Sequence, residues 1–145
     1  MERDAGAAGM TDLSDFGLLV VRICLSAVYL FSGIDKLTHR ADSVAELQAL
    51  KLPNPELLRY AVIAVQLIGG LMVLLGVHAA WGAALLLAFT ALATLLAHRP
   101  FDHQGLARRM QLTIALEHLA ICGGLLLLVL TGAGRYSLDW VMRQP

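Results

Sequence analysis

The sequence predicts an all-α integral membrane protein, a bundle of four transmembrane helices, and three observations carry that expectation. Of its 145 residues, 58% are hydrophobic and 15% charged, whereas soluble domains run at about 45–50% apolar and about 25% charged. Mean hydropathy is +0.70. Four apolar runs, each long enough at about 1.5 Å per residue to cross about 30 Å of hydrocarbon, alternate with short polar or Gly- and Pro-containing stretches. A water-soluble core built from so short a chain could not cover them all.

Residues 1–15 are small, polar and acidic, without the basic start and apolar middle of a cleavable signal. They are expected to form a disordered tail, which leaves membrane insertion to the first span. Ser14 is placed to cap that span, at about residues 16–37. Ser43-Val44-Ala45-Glu46 reads as the capping box of a short interfacial helix that Lys51-Leu52-Pro53 ends. Asn54 as cap and Pro55 at the first helical position open the second span, about 57–75, and Gly76 closes it. Only His78 and small residues precede the third span, about 81–97, which predicts a tight antiparallel hairpin. His98-Arg99-Pro100 stops that helix. After the polar, basic stretch 101–110, the fourth span runs over about 111–131 and breaks at Gly132-Ala133-Gly134. Residues 16–139 thus read as one four-helix domain and 140–145 as a short tail.

Four crossings put both termini and the 76–80 turn on one side, and the 38–56 and 99–110 connections on the other. The latter connections and their helix ends hold Lys36, Arg40, Lys51, Arg59, Arg99, Arg108 and Arg109, against Arg3, Arg135 and Arg143 on the terminal side. By the positive-inside rule the longer connections are cytoplasmic. Formal net charge is zero and no basic run exceeds Arg108-Arg109, so the footprint for nucleic acid is missing and that class is excluded. Cys24 and Cys122 stand alone in apolar runs, outside any CxxC or metal-knuckle spacing. Both lie about 12–14 Å into their helices from the terminal side, so contact between them stays open, with buried unpaired thiols as the expected state.

Ionisable groups within a span cost roughly 2.5–3.5 kcal/mol each, so they tend to face the bundle, and helical phase shows which do. Arg22, Ser26, Tyr29, Gly33 and Lys36 recur at steps of four and three, one continuous stripe. The same reasoning puts Arg59, Gln66 and Gly70 on the inner face of the second span. It assigns Ala84, Ala88, Ala91 and His98 to that of the third, and Thr113, Glu117, Ala120, Gly124 and Thr131 to that of the fourth. Small residues let membrane helices approach and polar ones bond across them, so the four stripes are expected to meet on the axis.

Two readings of that cluster stay open. In one, Glu117 pairs with Lys36 and the polar groups only fix helix register. In the other, a polar pocket open to the interface lets Glu117 and His98 exchange protons with a bound small molecule while Lys36 supplies charge. Arg22, Tyr29 and Gln66 are then the residues expected to bind that molecule. No metal site is expected from Glu117, His118, His98 and His103, because helix neighbours point about 100° apart and no two histidines have the i, i+4 spacing. A faint echo pairs Gln66, Gly69-Gly70 and Gly76 with Glu117, Gly123-Gly124 and Gly132; it fits duplicated hairpins or a chance likeness of Leu-rich helices.

Arg22 with Ser32-Gly33-Ile34-Asp35-Lys36-Leu37 opens an ordered set of residues. It continues with Gln66-Leu67-Ile68-Gly69-Gly70, Gly76, His98, Gly123-Gly124 and Gly132-Ala133-Gly134-Arg135-Tyr136-Ser137-Leu138-Asp139. Over residues 18–139 this set resembles the DoxX family. Gln66 stands where similar proteins often have Glu, and Glu117-His118 where many have a Lys-Asn pair. The family takes its name from a subunit of a thiosulfate:quinone oxidoreductase, and relatives are linked to oxidative stress and thiol redox. The resemblance therefore implies a multi-pass protein of the bacterial inner membrane serving as the membrane component of a redox system. It further implies a quinone as substrate and a membrane or peripheral redox protein as partner. No flavin, haem or nicotinamide motif is legible, so electrons are expected from that partner and the chain is not expected to be an enzyme on its own. The alternatives are a non-catalytic membrane anchor or assembly factor, and a small transporter, which would need a homo-oligomer and a continuous wet path.

Overall fold

The computed structural model describes residues 2–97 and 104–144, with side chains from residue 12 onward. His98, Arg99 and His103 thus lie outside the described residues. The described residues form helices and no strand: α1 Glu2–Thr38, α2 Arg40–Ala49, α3 Pro55–Leu75, α4 Ala79–Ala97, α5 Gly105–Thr131 and the single turn α6 Leu138–Val141. Four stretches, Asp12–Thr38, Pro55–Leu75, Ala79–Ala97 and Gly105–Thr131, are long and apolar enough to cross a bilayer. α1 packs along α3, α3 along α4 and α4 along α5, while α5 returns to α1 over a shorter stretch and α2 lies against α3 and α1.

Leu25, Tyr29, Val73, Ala83, Leu86, Leu125 and Leu128 form the core. The outside is at least as apolar: Phe31 and Leu130 are each 76% exposed and Trp81 75%. Such a surface is an aggregation liability in water and an ordinary one against lipid tails. Close approach of α3 and α4 needs Gly82, where an added Cβ would lie 2.7 Å from Met72 Cβ and 3.2 Å from the Gly69 carbonyl oxygen.

Helix starts are where the structure departs most from the sequence reading. α1 runs back to Glu2, which leaves Ser14 inside the helix instead of at its cap. α2 likewise starts at Arg40, so Ser43 is not a capping-box residue; its hydroxyl donates back to the His39 carbonyl at 2.7 Å. α5 begins at Gly105, well before its apolar run. Pro55 does occupy the first turn of α3 behind Asn54, although the Asn54 side chain makes no capping bond. Gly76 ends α3 in the left-handed region, φ +69°.

Candidate functional site

Polar side chains gather at two places, one at each end of the bundle. At the end holding the termini, Arg22 is 2% exposed and its guanidinium reaches four carbonyls. Nε donates to Val73 at 2.9 Å and Nη2 to Leu74 at 2.6 Å, while Nη1 donates to Ala133 at 3.1 Å and Tyr136 at 2.6 Å. Val73 and Leu74 lie in the last turn of α3, whose carbonyls have no helical partner and carry the negative end of the helix dipole. Arg22 is therefore a C-cap supplied by another helix, and it ties α1 to α3 and to the chain beyond α5. The Asp139 amide donates to the Gly76 carbonyl at 3.0 Å, and Ser137, whose hydroxyl donates to Gly134 at 2.6 Å, receives the Trp140 amide. A side chain on Gly76 would strike this junction: its Cβ would sit 2.5 Å from Ser137 Cβ and 2.8 Å from Arg22 Nη2.

The opposite end encloses a cavity of about 360 Å³, within the range of small-molecule sites. α2 and the 50–52 turn roof it with Glu46, Leu47, Leu50 and Leu52; α1 contributes Tyr29, Ser32 and Lys36, α3 Arg59 and Gln66, α4 Phe89 and Thr90, and α5 His118 and Ile121. Thr90 donates its own proton to the Leu86 carbonyl at 2.8 Å, so the Tyr29 hydroxyl is the donor in its bond to Thr90. Thr94 in turn donates to the Thr90 carbonyl at 2.7 Å, which makes the His118 Nδ1–H the donor across the 2.7 Å contact with Thr94. Gln66 Nε2 donates to Ser32 Oγ at 3.1 Å. Charges collect at the roof: Lys36 Nζ stands 3.5 Å from Glu46, Arg59 donates to the Lys36 carbonyl at 2.8 Å, and Arg40 pairs with Glu56. That hydrogen bond, and then the Glu56 charge, raise the Arg40 pKa above its ordinary value.

Three described buried side-chain atoms have no hydrogen-bond partner, Gln66 Oε1, Arg59 Nε and Glu56 Oε2, and all belong to this end. The last two face each other as an ion pair at 3.7 Å. Gln66 Oε1 has no such relief.

Of the residues expected to form a pocket, Tyr29, Lys36 and Gln66 do line one cavity. Arg22 does not; it is committed to the far junction. Glu117 is exposed on the outer face of α5, makes no hydrogen bond or ion pair among the described residues, and is not the partner of Lys36, which pairs with Glu46. His98 lies outside the described residues.

The phases assigned to α1 and α3 hold, while those of α4 and α5 are displaced. The inner face of α5 runs through His118, Ile121, Leu125 and Leu128, leaving Thr113, Glu117 and Ala120 outside; that of α4 runs through Ala79, Ala83, Leu86 and Thr90, leaving Ala88 and Ala91 outside. With Gln66 inside and Glu117 outside, the echo between spans does not extend to their environments. Cys24 is exposed and Cys122 half-buried, so the expected burial fails for Cys24, and both thiols are unpaired. His118, Thr90, Ser32 and Glu46 were not singled out as site residues. The Thr90–Thr94 spacing of four was the one sequence signal of a polar face on α4.

Four long apolar spans, with buried polar side chains gathered toward the two ends of an apolar core and an apolar exterior, define a multi-pass membrane protein. The chain belongs to the DoxX family, whose family model matches residues 17–99. It is similar to Inner membrane protein YqjF of Escherichia coli (strain K12), 31% identical over 135 residues that span 93% of this chain and 98% of the relative. It is also similar to Inner membrane protein YphA of the same organism, 26% identical over 131 residues, covering 86% and 94% respectively. This chain is accordingly a multi-pass protein of the inner membrane. No solved structure matches it.

Proposed function

We propose that this chain is the membrane component of a redox system and that the cavity under α2 holds a quinone-type amphiphile for a partner protein that supplies electrons. The observation that supports this most is a largely apolar cavity of about 360 Å³ whose lining includes the polar side chains of Tyr29, Lys36, Gln66 and His118. An apolar wall with a few convergent polar groups is the usual make-up of a small-molecule site. His118 and Lys36 sit at its cytoplasmic side by the charge bias, where protons exchanged with a quinone would have to pass. Glu117 takes no part in this reading because it faces away.

Purification in mild detergent followed by mass spectrometry of co-purifying lipids tests the proposal. The expected result is a bound quinone that disappears in His118→Ala; wild-type protein free of any such ligand overturns it.

One observation favours the anchor reading instead. α5 is the span least covered by the bundle, and Glu117 sits on its uncovered face, where a partner helix would relieve the cost of a carboxyl in lipid. A co-purifying protein lost in Glu117→Leu, with no bound quinone, would select that reading.

A further inference from the structure

α1 and α5, with the chain that follows α5, hold each other at one end of the bundle. From the terminal end as far as Leu25 the seam is closed: Arg135 reaches Asp12 and Asp15, and Arg22 binds the Ala133 and Tyr136 carbonyls. A Cβ added to Gly124 would lie 3.3 Å from the Leu25 side chain. Beyond Leu25 each helix keeps to its other neighbour. α1 stays on α3, where a Cβ on Gly33 would strike Leu67 at 2.7 Å and Arg59 donates to the Lys36 carbonyl. α5 stays on α4, where His118 meets Thr94 at 2.7 Å. This is why α5 packs on α1 over a shorter stretch than on α4.

The cavity lies where the two helices part. Val28 and Ser32 border it from α1, His118 and Ile121 from α5. Val28 is also 46% exposed, so one residue touches both the enclosed volume and the outside. At about 1.5 Å per residue it stands about 15 Å along α1 from Thr38, within the hydrocarbon and away from the water boundary. The top is covered by α2, with Lys36 paired to Glu46 at 3.5 Å. A side opening edged by Val28 and Ile121 therefore faces acyl chains. A volume of about 360 Å³ takes a ring and the start of a chain, so a longer tail has to leave, and this opening is the exit that keeps it in hydrocarbon.

We propose that the cavity is loaded sideways from the bilayer through a slot between α1 and α5, and that its occupant is a long-tailed amphiphile whose tail leaves between Val28 and Ile121. This rests on the cavity reading above and goes beyond it, since the tail as well as the head then decides what binds. A phospholipid acyl chain presents the same hydrocarbon as the tail of a quinone.

The test uses the full chain in lipid nanodiscs with a decyl benzoquinone and the same ring bearing a methyl group in place of the decyl tail. It reads the melting shift, with native mass spectrometry for retained phospholipid. In Val28→Trp/Ile121→Trp the decyl ring is expected to bind about tenfold more weakly while the methyl ring stays within about twofold, because only the exit is filled. Leu92→Trp, at another edge of the cavity that is 57% exposed, is expected to change neither. Melting without ligand is the folding control; if the double variant loses its cooperative melt, Val28→Phe alone decides, at about threefold. Unchanged binding of the decyl ring in the slot variant, equal loss of both rings, or loss of the decyl ring in Leu92→Trp overturns the slot and leaves the cavity reading standing. A retained phospholipid that is lost in the slot variant, with neither ring bound by the wild type, upholds the slot and overturns the quinone. Wild-type protein that holds neither ring nor phospholipid overturns both.

Discussion

The two ends of this bundle meet the same difficulty, polar side chains in hydrocarbon, with opposite degrees of completeness. At the terminal end the Arg22 guanidinium satisfies the Val73 and Leu74 carbonyls that α3 leaves over, and takes Ala133 and Tyr136 as well. Under α2, by contrast, Gln66 Oε1 is unmatched beside an open volume. A fully bonded buried network fixes one arrangement, whereas a partly bonded one is costly and persists where something else gains from it. In the proposed function the first end is structural and the second the receiving one, although both draw on the same α1 stripe.

The contrast can be broken most directly at Gly76. Gly76→Val combines a side chain at φ +69° with a collision against Ser137 and Arg22, and is expected to cost about 3 kcal/mol or more, seen as loss of the cooperative melt in detergent. A variant that melts with the wild type would undo the picture of a tight junction. Arg22→Lys should come next. An ammonium keeps the charge but cannot span four carbonyls, so a loss of about 2–3 kcal/mol is expected in the same measurement, with ligand binding retained by the protein that stays folded. The smallest effect sharpens the contrast from outside: Glu117→Leu removes a carboxyl from the lipid face and should leave ligand affinity within about twofold of wild type. Abolished binding in that variant would mean that α5 turns its other face to the cavity.

Why α1 and α3 were legible and α4 and α5 were not follows from the solvent. In water the inner face of a helix is its apolar face, but lipid is as apolar as a leucine core, so in a membrane only polar or very small residues mark the inside. α1 carries Arg22, Ser26 and Tyr29 on one line, and α3 carries Arg59 and Gln66; each stripe is buried as read. α5 offers Glu117 and His118 side by side, about 100° apart. Taking the charged residue as the inward one put Thr113, Glu117 and Ala120 out of phase, although Gly124 does face Leu25 of α1, because Leu125 and Leu128, which settle the matter, look the same as Leu126 and Leu127 in sequence. α4 has only Gly82 and its two threonines to speak for it. Four spans, their order, the Pro55 start and the Gly76 stop were readable because chain length, proline and glycine act locally. The α1 and α2 starts were not, since Ser14 and Ser43 have the chemistry of caps but are passed over by helices that continue through them.

The Arg22 junction also has an order in time. The α1 guanidinium finds two of its acceptors once α3, which follows it in the chain, is made, and the other two only after residues 133–136, beyond α5, have emerged. Until then the arginine is half-matched, so the stretch that follows α5 acts as a latch on α1.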